Sequence, residues 1–495
     1  MNLSELLSQA DLIYAPRSGE AEITSVVMDS RKASPGALFV CMPGTNSDSL
    51  SFIPAAAAQG AAAVSVFNQR GADLAKSAGI VSVMFRSDGL AYNEALWRLC
   101  RAFFHSPTRE MKVVGVTGTN GKTTTAWLVR DMLAALGVRA GYLGTLGLQL
   151  PGTERELSNT TPFAVELYNL LNEARQSGTE ALAMEVSSHA LHERRSDGIE
   201  FDAAVFTNLT QDHLDYHTSM AAYAEAKHRL FVELPKQTDK RFVGAFNIDD
   251  PVGERWSVEQ NGPSLTYSLK KEADLVGTAV DVKVDRIRLR LDNGDAIEVD
   301  IPLGGNFNVS NCLGAAAGLL ALGYSLGEVG RALPEVHPVP GRFEAVPNAK
   351  GIGVLIDYAH TPDALEKLLD SVRDLRPKRI VTVFGCGGDR DAAKRPKMAK
   401  AASERSDVTI VTSDNPRTED PMTILNQVKA GVISGRDSVA IIDRREAVAH
   451  AIQIAEPGDV VVIAGKGHET GQIIGGATLP FDDSQEARAA VEALS

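Results

Sequence analysis

Cysteine is scarce in this chain, which limits its redox and metal chemistry. The four cysteines, Cys41, Cys100, Cys312 and Cys386, are scattered over 495 residues, and no pair has the C-x-x-C spacing of zinc sites or redox motifs. Isolated thiols of this kind are typical of proteins in a reducing compartment rather than of disulfide-stapled domains. We therefore expect free thiols and a cytoplasmic protein.

A basic leader and a long apolar run are also missing. The segment Met1–Glu5 has no cluster of positive charge followed by an apolar stretch, so it does not predict a signal peptide. The longest apolar segment, Leu313–Leu322, is well short of the roughly 20 residues that cross a bilayer. It predicts a buried helix, and we expect no membrane insertion.

Positive charge is in the minority. The chain has 50 Lys and Arg against 63 Asp and Glu, a formal net charge of −13. This balance argues against a nucleic-acid or membrane partner, although local basic groups and backbone N–H groups still bind small anions. No large apolar surface stripe is evident, so we expect a monomer.

The sequence does contain the alternation that is typical of α/β folds. Apolar runs are followed by polar clusters and helical patterns, which predicts parallel sheets with ligands at the carboxyl ends of the strands. Near the N-terminus, Ala37–Cys41 predicts a strand and Ile53–Ala63 a helix. The other strand candidates are Lys112–Thr117, Ala181–Met184, Ala203–Phe206, Gly353–Ile356, Ile380–Phe384, Val408–Val411 and Val460–Ile463.

Length and a proline-rich segment divide the chain. At 495 residues it is too long for one hydrophobic core, and Pro334–Gly341 cannot continue a helix or a central strand. We predict three domains, with a small α/β domain over residues 1–108. A central phosphate-loop ATPase domain with a parallel sheet covers 109–335, and a doubly wound, Rossmann-like domain covers 336–495.

A phosphate-binding loop opens the central domain. The strand ending at Thr117 leads into a Gly-rich loop and then a helix with Leu128 and Met132 on one face. In such a loop backbone N–H groups close on phosphate oxygens, a lysine reaches the β- and γ-phosphates, and a threonine holds Mg²⁺. The spacing is shorter than in the general phosphate loop. The ATP-binding candidates are Gly118, Thr119, Asn120, Gly121, Lys122, Thr123 and Thr124.

Two further polar residues follow strands of the same predicted sheet. Glu185 comes directly after Ala181–Met184, and a carboxylate beside a phosphate loop suits Mg²⁺. A solvated glutamate at a helix start also fits that pattern. His213 follows Ala203–Phe206 and is a candidate ligand or donor at a third strand end, although a lone histidine is more often structural.

With these residues in view, the chain resembles the Mur ligase family over essentially its whole length. The resemblance implies an ATP-dependent ligase of peptidoglycan precursor synthesis, in which a substrate carboxylate takes the γ-phosphate and an amine then attacks the acyl phosphate. The shared motifs are Thr117–Thr124, Glu185–His189, Thr207–Leu209, Asp212–Asp215, Asn247–Asp250, Gly305–Asn311, Gly341–Arg342, Asp357–Pro362, Gly387–Arg390 and Gly465–Glu469.

The resemblance also implies roles for single residues. Lys122, His213 and Lys227 would be catalytic, and Asn308 and Arg342 would approach ATP with Asp357 nearby. Two Mg²⁺ ions are implied. Their ligands would be Thr123, Glu185, His213 and a carbamylated Lys227. By local pattern alone, Lys227 on an Ala-rich helix is a surface lysine.

For the other substrate, UDP-MurNAc-L-Ala-D-Glu, the resemblance points to both the first and the central domain. Glu193 is left out of this set, because its charge would repel the substrate carboxylates. The candidates are Met28, Ser30, Thr45, Asn46, Ser47, Asn159, Thr160, Thr161, Ser187 and Arg195. The pair Ser30-Arg31 is equally compatible with a simple turn.

The tetrapeptide Asp414-Asn415-Pro416-Arg417 indicates which amino acid is added. It follows a predicted strand, and a guanidinium there can pair with the second carboxylate of meso-diaminopimelate, which lysine lacks. A turn accounts for the Asp, Asn and Pro of this tetrapeptide but not for its Arg. The candidate diaminopimelate-binding residues are Arg390, Asp414, Asn415, Pro416, Arg417, Gly465 and Glu469.

Four alternatives stay open at this point. Three share the phosphate loop: a lysine-adding relative, MurF and folylpolyglutamate synthase. The fourth is a nucleotide-binding scaffold without turnover. The Arg417 tetrapeptide and the first domain argue against the first three, and the presence of Lys122, Glu185, His213 and Lys227 argues against the scaffold.

Overall fold

The computed structural model describes residues 1–44 and 48–494. The candidates Thr45, Asn46 and Ser47 lie outside the described residues. No helix in the described ranges is long and apolar enough to cross a membrane. The chain forms two compact units, Met1–Asp274 with Gly314–Ser325 and Leu275–Leu313 with Leu326–Ser495. The boundaries of the three predicted domains stay a prediction.

The first unit begins with a four-stranded parallel sheet. Its strands are β1 (Ser25–Val27), β2 (Ala37–Val40), β3 (Ala63–Val66) and β4 (Val81–Met84), ordered as in the chain. Its helices are α1 (Leu3–Gln9), α2 (Ile53–Ala58), α3 (Gln69–Ser77) and α4 (Ala91–Phe103), with 3-10 helices at Ser30–Lys32 and Ser49–Phe52. The helix predicted to reach Ala63 ends at Ala58, because Gly60 takes a left-handed φ of +99° before β3.

A larger sheet follows in the same unit. Its strands are β5 (Lys112–Thr117), β6 (Ala140–Gly144), β7 (Gly147–Leu150), β8 (Thr153–Arg155), β9 (Ala181–Glu185), β10 (Ala203–Phe206), β11 (Val243–Asn247) and β12 (Ser264–Ser268). Its helices are α5 (Lys122–Ala135), α6 (Ala164–Gln176), α7 (Ser188–His192), α8 (Met220–Val232) and α9 (Pro251–Glu259), with a 3-10 helix at Leu234–Gln237. The order is β12-β11-β10-β5-β9-β6-β7-β8; β6 with β7 and β7 with β8 pair antiparallel, and the other neighbours in this order pair parallel.

The central strands of this sheet end side by side. Phe206 pairs with Thr117, and Val116 pairs with Glu185. The polar segments after β5, β9 and β10 therefore leave the sheet at one edge, as predicted for ligand-binding residues of parallel strands.

The second unit starts with an antiparallel meander and ends with a mostly parallel sheet. The meander strands are β13 (Leu275–Val282), β14 (Ile287–Asp292) and β15 (Ala296–Ile301). Then come α10 (Asn306–Ala321), whose residues from Gly314 onwards belong to the first unit, α11 (Leu326–Ala332) and a 3-10 helix at Leu333–Glu335. The apolar segment from Leu313 lies in α10, and Leu313 and Leu319 are buried as expected.

The last sheet has the order β16-β17-β21-β18-β19-β20, with only β16 antiparallel. Its strands, with a separate hairpin β22–β23, are β16 (Glu344–Ala345), β17 (Gly353–Asp357), β18 (Ile380–Cys386), β19 (Val408–Ser413), β20 (Asp437–Ala440), β21 (Val460–Ala464), β22 (Gly471–Ile474) and β23 (Ala477–Pro480). The helices are α12 (Pro362–Asp374), α13 (Lys394–Arg405), α14 (Pro421–Lys429), α15 (Arg444–Gln453) and α16 (Asp483–Glu492). The predicted α/β class is confirmed, and apolar side chains cover both faces of this sheet.

The four cysteines are all unpaired and buried, as expected for free thiols. Burial raises the pKa of the Cys41 and Cys312 thiols to about 12. These thiols are therefore protonated at neutral pH and act as small apolar side chains.

A buried ion pair joins the last two helices. Arg444 on α15 and Asp483 on α16 are fully buried, with a nitrogen–oxygen distance of 2.7 Å. Arg444 Nη2 also donates to the carbonyl of Ala464 at the end of β21 (3.0 Å), and Nη1 donates to that of Ser413 at the end of β19 (3.4 Å). The guanidinium thus connects both helices to two strand ends.

We expect Asp483→Asn to lower the free energy of unfolding of the second unit by about 3–5 kcal/mol, because it leaves a buried guanidinium without its counterion. Urea denaturation followed by circular dichroism measures this change. Glu486→Gln is the matched control, since Glu486 pairs with the exposed Arg445 between the same two helices. It should change the free energy of unfolding far less, because Arg445 is exposed, and equal losses in the two variants would contradict the expectation.

Candidate active site

The phosphate loop connects β5 to α5, which begins at Lys122. Gly118 and Gly121 have φ values of +150° and +85°, and a Cβ on Gly118 would lie 1.9 Å from the Thr207 hydroxyl. The first bond of the helical ladder runs from Thr125 N to Gly121 O (2.9 Å). N–H groups at a helix start have no acceptor within the helix and, with the helix dipole, favour a bound anion.

The segment after β10 holds this loop in place. Thr119 N donates to Asn208 O (2.8 Å) and Asn120 N to Asn208 Oδ1 (3.0 Å), while Thr207 Oγ1 donates to Asn120 O (2.6 Å). Two loop N–H groups are therefore occupied by Asn208, which the motif alone does not indicate. A phosphate would therefore bind at the start of α5 rather than at these two N–H groups.

Two lysines converge on the carbonyl groups of the loop. Lys122 Nζ donates to Gly118 O (3.0 Å) and Thr119 O (2.8 Å), and Lys227 Nζ donates from α8 to Gly118 O (2.7 Å). Lys227 is only 1% exposed, so the reading as a surface lysine is wrong. The local pattern misleads here because the face of α8 that carries Tyr223 and Lys227 packs against the loop, whereas Ala221 on the same helix is exposed.

Burial and the neighbouring charge of Lys122 lower the pKa of Lys227 well below its ordinary value. Its Nζ lies 4.5 Å from the centre of the Tyr223 ring, which adds to its apolar surroundings. A neutral amine is the form of lysine that reacts with CO₂ to give a carbamate. The environment thus favours the chemical state that carbamylation requires.

Glu185 is a buried carboxylate at the end of β9. Its Oε2 accepts from Thr123 Oγ1 (3.0 Å) and its Oε1 from Tyr142 Oη (2.5 Å) and Thr145 N (2.8 Å). All three of these donors are uncharged. A Cβ on Gly144 would come within 2.3 Å of Oε1, so this glycine keeps the space beside the carboxylate open.

His213 lies at the same edge but makes fewer contacts. Its side chain is 43% exposed, and Nε2 lies 3.5 Å from Asp212 Oδ2. Its ring centre is 6.0 Å from that of Tyr223, whose hydroxyl donates to Thr119 Oγ1 (3.3 Å). Over residues 1–44 and 48–494, no group of three or more His, Cys, Asp or Glu side chains forms a metal-binding cluster. A site here would thus depend on hydroxyl or carbamate ligands as well.

Several residues predicted to bind the dipeptide substrate meet beside Glu185. Thr161 Oγ1 donates to Glu185 O (2.8 Å) and accepts from Ser187 N (3.1 Å), and Thr160 Oγ1 is 3.1 Å from Thr145 Oγ1. Arg195 Nη1 donates to Thr161 O (3.1 Å). The structure therefore places these residues next to Glu185, whose carboxylate is expected to hold magnesium.

Glu193, which we left out of the site, is also in this group. Its Oε2 accepts from Arg195 Nε (2.7 Å) and its Oε1 from Tyr216 Oη (3.0 Å). The charge that would repel a substrate carboxylate is therefore offset by Arg195. The sequence predicted that Glu193 would repel a substrate carboxylate, but it did not indicate that Arg195 pairs with Glu193.

The remaining candidates for binding the sugar nucleotide make fewer contacts with other residues of the candidate site. Met28 and Ser30 are half-buried just after β1, and Ser30 starts a 3-10 helix whose N-cap is Asp29. Asn159 Nδ2 donates to Ser158 Oγ (3.3 Å). These positions are compatible with substrate contacts, and their role stays a prediction.

The nucleotide candidates of the second unit have internal partners. Asn308 is buried, with Nδ2 donating to Gly304 O (2.8 Å) and Oδ1 accepting from Asn311 (2.9 Å). The Arg342 guanidinium lies 4.7 Å from the Tyr358 ring centre. Phe343 N donates to Asp357 Oδ2 (2.8 Å), which fixes the carboxylate at the end of β17.

The amino-acid candidates cluster at one edge of the last sheet. Cys386 pairs with Ser413, and Phe384 pairs with Ala464. The residues that follow β18, β19 and β21 therefore leave the sheet together. Asn415 Nδ2 donates to Glu469 Oε2 (2.9 Å), which links two of these loops directly. Pro416 is buried between them, and Arg390 on the β18 loop is exposed.

Lys466 is a member of this cluster that sequence reasoning missed. It is fully buried, and its Nζ lies 3.0 Å from Glu469 Oε2 and 3.2 Å from Asn415 Oδ1. The Gly-Lys-Gly-His-Glu motif contained the signal, since a buried lysine needs a carboxylate partner and Glu469 is three residues away. A Cβ on Gly465 would lie 3.0 Å from Asp414 Oδ2, so this glycine allows close approach of the loops.

Comparison with known proteins agrees with this geometry. Residues 22–102 match the Mur ligase family catalytic domain, residues 116–319 the Mur ligase middle domain, and residues 341–467 the Mur ligase glutamate ligase domain. A UDP-N-acetylmuramoyl-L-alanyl-D-glutamate–2,6-diaminopimelate ligase of Geobacillus kaustophilus is 42% identical over 498 residues, covering 99% of each chain. The chain belongs to the Mur ligase family.

Other Mur ligases give the same picture. A Gloeobacter violaceus protein of the same name is 43% identical over 499 residues, which cover 100% of this chain and 98% of the relative. A solved structure of such a diaminopimelate ligase is similar with a TM-score of 0.69, at 33% identity and 95% coverage of both chains. The Mur ligase fold and the family resemblance drawn from the motifs are thus confirmed.

Proposed function

We propose that this Mur ligase joins meso-2,6-diaminopimelate to the D-Glu of UDP-MurNAc-L-Ala-D-Glu, with ATP converted to ADP and phosphate. The observation that carries the proposal is the cluster of Asp414, Asn415, Arg417 and Glu469 at the strand ends of the last sheet. It offers both anionic and cationic groups to an amino acid with charges at its two ends. The names of the relatives support the same substrate.

In the first step an oxygen of the D-Glu carboxylate attacks the γ-phosphorus of ATP, and the bond to the β-phosphate oxygen breaks. The helix start at Lys122 binds the phosphates, and the lysine charge stabilises the negative charge that spreads over the transferred group. Thr161, Ser187 and Arg195 orient the carboxylate beside Glu185. The products of this step are an acyl phosphate and ADP.

Magnesium fits the residues around Glu185. A buried carboxylate that accepts from uncharged donors, among them the Thr123 hydroxyl at 3.0 Å, forms with that hydroxyl a hard oxygen donor set for Mg²⁺. Thr123 and Glu185 would hold one ion, and His213 with a carbamylated Lys227 a second. When bound, magnesium would neutralise charge on the phosphates.

In the second step the amine of diaminopimelate attacks the acyl carbon. The tetrahedral intermediate then expels phosphate, and the proton on the attacking nitrogen passes to the departing phosphate or to water, which leaves the amide. Asp414 and Glu469 bind the distal ammonium, and Arg390 and Arg417 bind the two carboxylates. Lysine has no distal carboxylate, so Arg417 would distinguish the two amino acids. The cytoplasmic location and the monomeric state stay predictions.

The proposal is tested by exchanging Arg417. Arg417→Ala should raise the KM for diaminopimelate about a hundredfold, because a charge-assisted pair is lost, while the KM for ATP is unchanged. Phosphate release with UDP-MurNAc-L-Ala-D-Glu, ATP and either diaminopimelate or lysine measures both values.

Arg376→Ala is the matched control. Arg376 is an exposed arginine of the same unit, and its φ of +55° is close to the +54° of Arg417. Both variants therefore lose an arginine from a left-handed backbone position. Unchanged diaminopimelate kinetics in Arg417→Ala would overturn the proposed specificity. Wild-type preference for lysine would favour the lysine-adding alternative.

A further inference from the structure

Hydrogen bonds join the two loops that carry the proposed diaminopimelate-binding residues Arg390 and Arg417. Gly388 N, in the loop after β18, donates to Asn415 O (2.9 Å) in the loop after β19. A Cβ on Gly388 would lie 1.9 Å from Pro416 O, so only glycine allows this backbone contact. Arg417 Nη1 donates to Gly388 O (2.7 Å), and the direction of its side chain therefore depends on the other loop.

A buried arginine outside the proposed ligand set joins the same loops. Arg395 on α13 is 1% exposed, and its Nη1 and Nη2 donate to the two carboxylate oxygens of Glu419 (2.9 and 2.8 Å). Arg395 Nη2 also donates to Gly387 O (3.1 Å), and Glu419 Oε1 accepts from Asp389 N (2.6 Å). Through this pair, the backbone groups of Gly387 and Asp389, on either side of Gly388, are held beside Glu419, which lies two positions after Arg417.

The backbone at both loops is in a conformation that needs such support. Asp389, which precedes Arg390, has φ +53°, and Arg417 has φ +54°. Residues with a side chain rarely adopt this region, and they do so where the surroundings hold them. The Asp389 carboxylate accepts from Thr418 N (3.1 Å) and Thr418 Oγ1 (2.8 Å), a second restraint across the loops.

We infer that Arg395 and Glu419 are positioning residues that fix the separation of Arg390 and Arg417, and thereby the preference for an amino acid with two carboxylates over lysine. The inference rests on the proposed function. Neither residue is in the proposed ligand set, and the two act by holding the loops. Loss of the pair would loosen both arginines without changing the phosphate loop, which belongs to the other compact unit.

The test uses Glu419→Gln, which keeps the size of the side chain and removes its charge, and Glu419→Ala. We expect the KM for diaminopimelate to rise about tenfold in the first and further in the second, since misplacement by an ångström costs up to about a hundredfold. The kcat and the KM for ATP should change less than about threefold. Use of lysine, which does not need Arg417, should change little, so the ratio of kcat/KM values for the two amino acids falls.

Asp459→Asn is the matched control. Asp459 pairs with Arg379 (2.6 Å) just before β21 and β18, at the opposite end of the same strands. Its loss should leave the KM for diaminopimelate unchanged. Arg395→Lys keeps a positive charge, so its KM for diaminopimelate should rise less than that of Glu419→Ala. If the alanine variant does not fold, Arg395→Lys and Glu419→Gln are compared instead.

Equal loss of activity towards both amino acids, or wild-type diaminopimelate kinetics in every variant, would overturn the inference. A parallel fall in kcat, in ATP affinity and in melting temperature would also overturn it, because that pattern indicates a merely structural pair. If Arg417→Ala leaves the KM for diaminopimelate unchanged, the proposed function fails. If Arg417→Ala raises it and the Glu419 variants do not, only the inference about positioning fails.

Discussion

Replacement of Lys122 by alanine should lower kcat by about a thousandfold or more, because it removes the positive charge that would stabilise the transferred phosphoryl group. Lys122 Nζ is held by Gly118 O (3.0 Å) and Thr119 O (2.8 Å) at the start of α5, so its position is fixed before ATP binds. Release of ADP in the presence of all three substrates measures the effect. The purified variant should keep the wild-type circular dichroism spectrum, since Lys122 is not in the core.

Lys112→Ala is the control for this result. Lys112 is an exposed lysine at the other end of β5, and its Nζ lies 5.5 Å from the Tyr324 ring centre. We expect its kcat within about twofold of the wild type, as for most surface changes away from a site. ADP release by Lys122→Ala at a similar rate would refute the assigned role of the loop.

Lys227→Ala should also be nearly inactive, with kcat lowered about a hundredfold or more, if a carbamate on Lys227 contributes to metal binding. Short carboxylic acids such as acetate or formate should partly restore the rate, since they can occupy the space of the carbamate. The expectation follows from burial, from the lowered pKa and from the 2.7 Å contact with Gly118 O.

Lys236→Ala is the control that shows whether loss of activity in Lys227→Ala is specific to Lys227 or follows the loss of any lysine near α8. Lys236 is exposed on the 3-10 helix that follows α8, and its replacement should neither lower kcat nor create a response to carboxylic acids. A carbon-13 carbamate signal from wild-type protein in labelled bicarbonate, absent in Lys227→Ala, is an independent readout. A folded Lys227→Ala variant that carboxylic acids do not reactivate would count against the carbamate.

The sequence predicted best those parts of the fold in which a buried strand is followed by a polar residue. β5 and β10 have the bounds Lys112–Thr117 and Ala203–Phe206 that the apolar runs indicated. Strands buried on both faces read as continuous apolar runs, and the carboxyl ends of parallel strands meet at one edge. These two rules were enough to bring Glu185 and the phosphate loop together.

Antiparallel strands were not predicted, because they are short or half-exposed. In β14 the buried Ile287, Leu289 and Leu291 alternate with arginines, a signal that could have identified the strand. Neighbouring β13 has exposed and half-exposed residues over most of its length, so its sequence lacks a continuous apolar run. Such strands are recognisable once their pairing partners are known, and not from a local window.

The contacts that define the candidate site were predictable only in part. Tyr142 and Thr145 contact Glu185 from about 40 positions away in the sequence, and Arg395 reaches Glu419 across 24. No local periodicity encodes such pairs, because tertiary packing brings them together. Motif spacing identifies the residues that bind ligands, whereas the residues that orient them become visible only in three dimensions.

The ion pair of Arg444 and Asp483 has a consequence for the conditions under which the site keeps its shape. Dissolved ions screen exposed charge pairs strongly and buried ones much less. Arg444 is out of contact with solvent and holds the last carbonyl groups of β19 and β21, from which Asp414 and Gly465 follow. The framework under the proposed amino-acid pocket should therefore be largely insensitive to ionic strength, and we expect salt to weaken the attraction between these residues and a zwitterionic amino acid well before it disturbs the strand ends.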